Sequence, residues 1–181
     1  MANGDATLAR LWGWTRQASE IDWDAAFAEA LPRVYNFFRY RVGDGPLAED
    51  LTSVTFEKAW RAREQYRQDR AALGTWLFVV ARNVAVDHFR SHRQTVPLED
   101  ARDLPGGPTP EDLAVRRSDH ERLERLLARR PEREREFLAL KYGAEFTNRE
   151  IARMTGLSES NVGTILHRAV EALRADWEQG V

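Results

Sequence analysis

The sequence has no cysteine among its 181 residues, which excludes disulfides, thiolate metal ligands and a cysteine nucleophile. No apolar run approaches the roughly 18 residues that a membrane-spanning helix needs. Met1 to Arg16 lacks a basic stretch followed by an apolar one, so export is not expected and a cytoplasmic location is. Proline and glycine are sparse, at 7 and 11 residues. There is no large excess of either charge, since 27 basic residues oppose 29 acidic ones. No glycine loop that cradles phosphate, no supported carboxylate pair and no serine-nucleophile motif occurs. An enzyme is therefore not expected. His88 and His92 stand four apart with no third ligand in view, so neither a metal nor a cofactor is expected.

What is present is enough for a folded core, with 43% hydrophobic and 31% charged residues. The near-neutral total conceals blocks. Residues 61–93 hold seven arginines against three acids, and residues 94–115 hold five acids against one arginine. Such alternation suits a chain that meets an anion with one part and a protein with another.

The spacing is helical almost throughout, and period-two alternation is scarce. Ala25–Val42 places Phe27, Leu31, Val34, Phe38 and Val42 at three- and four-residue steps, which predicts a core-facing stripe. After Gly43-Asp44-Gly45, Pro46 suits the first position of a second helix reaching about Gln65. A polar, basic stretch at 66–73 leads to Gly74-Thr75 and a third helix from Trp76 to about His92. Four of the seven prolines fall between Pro97 and Pro110, and they predict an extended acidic linker over 94–110. Thr109-Pro110-Glu111-Asp112 has the makings of a helix start. Four helices are expected beyond it, at about 110–129, 131–142, 148–154 and 159–177. The expected fold class is all-α, two small helical domains joined by a linker.

The strongest local motif is Thr147-Asn148-Arg149-Glu150, a capping box, followed by Ile151, Ala152, Gly156, Leu157, Val162 and Ile165. A small residue at the helix crossing, a glycine in the turn and two buried positions in the second helix make a helix-turn-helix. Ser158 caps that second helix. Its inward set is Val162, Ile165, Leu166, Ala169 and Leu173. Ser160, Asn161, Gly163, Thr164, His167 and Arg168 then lie outside, where a recognition helix meets the major groove. Because 147–181 is not basic, phosphate attraction falls to Arg149, Arg153, Arg168 and the arginine-rich helices before them.

Pro46–Trp60 (PLAEDLTSVTFEKAW), Thr75–Asn83 (TWLFVVARN) and Leu157–Ala169 (LSESNVGTILHRA) together resemble regions two and four of bacterial extracytoplasmic-function sigma factors, in the sigma-70 family. The resemblance covers about 24–93 and 111–177. It implies a map of N-terminal extension 1–23, region two 24–93, linker 94–110, region four 111–177 and tail 178–181. It further implies that Asp50, Leu51, Phe56, Ala59 and Trp60 dock on the clamp coiled coil of the largest RNA polymerase subunit. Region four is implied to meet the flap of the second-largest subunit. Arg67, Gln68, Arg70, Trp76, Arg82, Asn83, Asp87 and Arg90 are implied to read and melt the −10 promoter element. A cationic loop beside an aromatic helix is what single-stranded DNA binding requires in any case.

Arg149, Ser160, Asn161, Gly163, Thr164, His167 and Arg168 are implied to read the −35 element, with Arg168 able to grip a guanine. Two departures stand out: Ser53 and Val54 replace the usual Gln-Glu pair, and Gly163 replaces a residue that is basic in many members. The expected partners are core polymerase, promoter DNA and an anti-sigma protein, with no membrane insertion. The other reading is a stand-alone helix-turn-helix regulator with an N-terminal ligand-binding or dimerisation domain. Trp12 and Trp14, with Leu8 and Leu11, are expected either to pack on region two or to meet a partner.

Overall fold

The computed structural model describes the backbone of residues 21–95 and 111–180, and the side chains of 21–91, 119 and 121–180. The Trp12/Trp14 segment and residues 96–110 of the expected linker lie outside the described residues. Among the described residues seven α-helices run in chain order: α1 Trp23–Val42, α2 Gly45–Arg61, α3 Leu73–Thr95, α4 Glu111–Ala128, α5 Glu132–Leu138, α6 Asn148–Thr155 and α7 Glu159–Glu178. A 3-10 turn (Arg63–Gln65) follows α2, and a π-helical turn (Ala139–Gly143) continues α5. No strand occurs among the described residues. None of their helices is long and apolar enough to cross a membrane.

The helix boundaries follow local chemistry. Asp22 caps α1 by accepting from the Ala25 N–H at 3.0 Å, and Gly43 ends it at φ 74°. Asp44 caps α2 by accepting from Leu47 at 2.7 Å. That cap starts α2 at Gly45, one residue ahead of the expected Pro46. Helix α3 begins at Leu73, where the Trp76 N–H already reaches Ala72 O, and runs on to Thr95, two residues into the expected linker. The expected single helix over 131–142 is instead α5 plus the π turn, in which the Ala144 N–H bonds back five residues to Ala139 O at 2.8 Å.

Helix α1 is the hub. It packs on α2 and α3 of its own half, and also on α4, α5 and the π turn of the C-terminal half. Val34, Phe37, Phe38, Phe78, Leu138, Leu140, Ala144 and Phe146 consequently belong to one buried cluster that crosses both halves. The ring centroids of Phe78 and Phe146 are 4.8 Å apart, edge to face, across that junction. This arrangement corrects the expected α1 stripe. Leu31 is 51% exposed, whereas Phe37 and Arg41 are buried, because a helix clasped from several sides buries more than one narrow seam.

Arginines edge the junction. Arg33 donates twice to Ala144 O, at 2.8 and 2.5 Å. Arg39 pairs with Glu124. Arg41 donates to Glu132 O at 2.7 Å and lies 4.8 Å over the Phe89 ring. Burial pulls the Arg41 pKa down, opposed by the nearby carboxylates of Glu136 and Glu132.

Candidate nucleic-acid interface

In the C-terminal half the helix-turn-helix is built by its own caps. The Thr147 N–H donates to Glu150 Oε2 at 2.8 Å, and the Glu150 N–H donates back to Thr147 Oγ1 at 3.3 Å. The Thr147 hydroxyl also donates to Glu150 Oε2, at 2.7 Å, and this bond first, with that of the Thr147 N–H second, holds the Glu150 carboxyl below its ordinary range. Gly156 takes the turn at φ 72°, a left-handed geometry that costs glycine little. Ser158 then caps α7 by accepting from Asn161 at 3.2 Å. Ile151, Ala152, Val162, Leu166 and Ala169 are buried beneath.

That leaves Ser160, Asn161, Thr164, His167 and Arg168 exposed on the outer face of α7, with Arg149 exposed on neighbouring α6. Gly163 is half-buried among them, and a Cβ added there would meet only Asn148 Nδ2, at 3.7 Å. The protein itself therefore has room for a side chain at this position. The face is lightly charged: Arg149, Arg153 and Arg168 are set against Glu159 and Glu171.

The N-terminal half builds its surface differently. Tyr66, Trp76 and Trp23 meet with ring centroids 5.2 to 6.1 Å apart, and Trp23 continues through Phe27 to Phe56 and Trp60. The Tyr66 hydroxyl donates to Ala71 O at 2.9 Å and so closes the loop over 66–71. Trp76 is thereby a half-buried floor beneath that loop rather than a free stacking platform. Arg67 forks onto Asp69 at 3.1 and 3.2 Å, while Gln68 and Arg70 are exposed. The Arg67 hydrogen bond lowers the Asp69 pKa. Asn83, Asp87 and Arg90 share an exposed face of α3, where Asp87 lies 3.2 Å from Lys58 and 3.9 Å from Arg90.

Arg82 departs from its expected group. It turns across the junction, donating to Glu136 Oε1 at 2.6 Å and to Met154 O at 2.9 Å. In this arrangement its guanidinium is engaged with the C-terminal half.

On α2, Asp50 is exposed and Trp60 is 46% exposed. Leu51 and Ala59, expected at the same docking surface, are buried in the core, and Phe56 is half-buried against Phe27 at 5.0 Å. Those three turn inward because the 3.6-residue period puts them on the face toward α1 and α3. The outward positions include Ser53, Val54 and Glu57; the first two were noted from the sequence only as departures from the family's Gln-Glu pair, and Glu57 was not singled out. Val54 is 37% exposed, and Arg63 covers the Trp60 ring at 4.1 Å. Val54, an apolar residue where the family usually has a polar one, was the available signal. Among the described residues no group of His, Asp or Glu is arranged to hold a metal ion.

Residues 26–95 match the family model described as Sigma-70 region 2, and residues 120–173 the model described as Sigma-70, region 4. Among sequence relatives, the extracytoplasmic-function (ECF) RNA polymerase sigma factor SigM of Bacillus subtilis is 34% identical over 153 residues, covering 82% of this chain and 90% of SigM. The ECF sigma factor RpoE of Cereibacter sphaeroides is 30% identical over 159 residues, covering 83% of this chain and 86% of that protein. BldN of Streptomyces coelicolor is 31% identical over 177 residues, covering 93% of this chain but 66% of BldN.

Two solved structures share the fold. The sigma factor RpoE in complex with the anti-sigma factor NepR, from Bartonella quintana, has a TM-score of 0.68 at 21% identity, covering 87% of this chain and 97% of that one. CnrH in complex with the cytosolic domain of CnrY has a TM-score of 0.61 at 21% identity, covering 87% and 86%.

Proposed function

The chain belongs to the ECF group of the sigma-70 family of RNA polymerase sigma factors, and on that premise we propose how its residues divide the work of initiation. As a sigma factor it directs core polymerase to promoters, reading the −10 element with region two and the −35 element with region four. It carries no reaction of its own and acts in the cytoplasm, where polymerase is.

The single observation that carries the residue assignment is the exposed outer face of α7. A capped helix-turn-helix presents Ser160, Asn161, Thr164, His167 and Arg168 on one side, with Arg149 beside them. Arg168 contacts a guanine edge, Thr164 and His167 contact base edges or phosphate, and Arg149 contacts phosphate. Gly163, with space around it, brings the backbone of α7 close to the groove. In region two the 66–71 loop and the Asn83, Asp87, Arg90 face receive the −10 strand. Asp50 and Trp60, joined by Val54, form the polymerase-docking side of α2, with Leu51, Phe56 and Ala59 holding that helix in place from within.

The domain map is region two at 24–93 and region four at 111–177, with 94–110 between them. An anti-sigma factor is the regulatory partner, by extension from the solved complexes of RpoE with NepR and CnrH with CnrY. The stand-alone regulator leaves the region-two match over 26–95 without an account. Co-purification with core polymerase, followed by transcription in vitro from a promoter library, tests this reading. Promoter-selective transcripts that need both proteins are expected. A chain that binds promoter DNA but neither co-purifies with core nor supports transcription would overturn it.

A further inference from the structure

The junction between the two halves turns on a single glycine. A Cβ built at Gly143 would lie 2.8 Å from Asn36 O, 2.9 Å from Asn36 C and 3.0 Å from Phe37 N. Those atoms are backbone of α1, so no side-chain rotation relieves the clash. Gly143 itself lies in the π turn and not among the positive-φ glycines. Its own conformation therefore does not require glycine, and alanine is the better helix former. The three nearest neighbours, which forbid a side chain there, all belong to the other half.

Around this seat, four arginines of region two meet region four. Arg33 holds Ala144 O, Arg39 holds Glu124, Arg41 holds Glu132, and Arg82 holds Glu136 and Met154 O. The outer face of α7 takes no part in these contacts, and its reading residues are exposed.

We propose that Gly143 seats region four on region two in a closed, autoinhibited state, in which Arg82 is withheld from the −10 strand while the −35 face stays open. The closed state is thus asymmetric: it leaves double-strand reading available and weakens single-strand capture by the one arginine it engages. Opening exchanges the Glu136 and Met154 acceptors of Arg82 for DNA phosphate. The masking half of this proposal rests on the −10 assignment of Arg82, and the seating half does not.

Because the chain has no cysteine, Glu49→Cys with Glu178→Cys gives a clean spin-label pair across the junction in the full-length protein. The wild type is expected to show one narrow distance, and Gly143→Ala a longer and broader one. Free Gly143→Ala protein should bind a fluorescent mixed-sequence single-stranded DNA more tightly, on the order of tenfold, as the competent fraction rises. Adding Arg82→Gln should abolish that gain. Arg33→Gln, from the other side of the junction, should reproduce the opening in part. Circular dichroism confirms that each variant is folded, and Arg33→Gln carries the test if Gly143→Ala is not.

Unchanged distances in both variants would overturn the proposal entirely. Longer distances with unchanged DNA affinity, or a gain that survives Arg82→Gln, would overturn the masking by Arg82 and, with it, the −10 role given to that residue. The seating by Gly143 would then stand on the distances alone.

Discussion

The two surfaces proposed to face DNA are made by opposite means. The region-four surface is set by bonds between residues three positions apart: Thr147 with Glu150, and Ser158 with Asn161. The region-two surface is set by rings brought together from three helices and a loop, Trp23 and Phe27 from α1, Phe56 and Trp60 from α2, Trp76 from α3, and Tyr66 between them. A surface built from local caps should tolerate core damage elsewhere, while one built from packed rings should share the fate of its core. That contrast can be tested by substitution, starting with the core.

The largest effect is expected at Phe78, which is buried to 1% exposure between Phe37 and Phe146. Phe78→Ala should cost about 3–5 kcal/mol of stability, the range for emptying an aromatic site in a core. Urea unfolding should record that loss, and hydrogen exchange should place it in α1–α3 before α6 and α7. Equal loss of protection in the helix-turn-helix would break the contrast.

Next comes Trp76→Ala, at roughly 2–3 kcal/mol, because this ring is half-buried and loses contacts with Tyr66 and Trp23. Trp76→Phe should restore most of the stability. If it restores stability but not −10 strand binding, the indole also touches DNA. If it restores both, the ring serves only as the floor of the loop.

The same division explains how much could be read from the sequence. Capping boxes, the Gly156 turn and the inward set of α7 are encoded within a few residues, so the helix-turn-helix and its exposed face were legible. Helix α1 was legible as a helix but not in its burial, since Leu31 faces out and Arg41 faces in. That outcome depends on α4, α5 and the π turn packing against it from far along the chain. The engagement of Arg82 with the C-terminal half was not legible for the same reason. Its acceptors, Glu136 and the Met154 carbonyl, are 54 and 72 residues away. Leu51 and Ala59 carried the family motif, yet a motif does not separate residues that touch a partner from those that hold the helix beneath it.

At the DNA surface itself, Arg168→Ala should cost about 1–3 kcal/mol of −35 binding and relax preference at one base position, if the guanidinium grips a guanine. A phosphate contact would instead weaken all sequences alike and lower the salt slope by about one. Binding to single-base variants at two salt concentrations separates the two. A loss on no variant would remove the outer face of α7 from the interface.

The smallest expected effect tests the local side of the contrast most directly. Thr147→Ala removes the acceptor of the Glu150 N–H and should cost about 1 kcal/mol at neutral pH, with the loss confined to region four. The pH dependence follows from Glu150, whose carboxyl is held below its ordinary value of 4.5 by the Thr147 bonds. A depressed carboxylate contributes its stabilisation fully above that ordinary value and loses it as the pH falls through the lower, folded-state value. The gap between wild type and Thr147→Ala should therefore be widest near neutrality and narrow below pH 4.5. In Glu150→Gln, which cannot ionise, the residual effect of Thr147→Ala should no longer change over that range. Urea midpoints for the four proteins at neutral and acid pH make the measurement. A gap that stays constant on acidification would show that the cap stabilises through the backbone bond alone, without the reciprocal carboxylate.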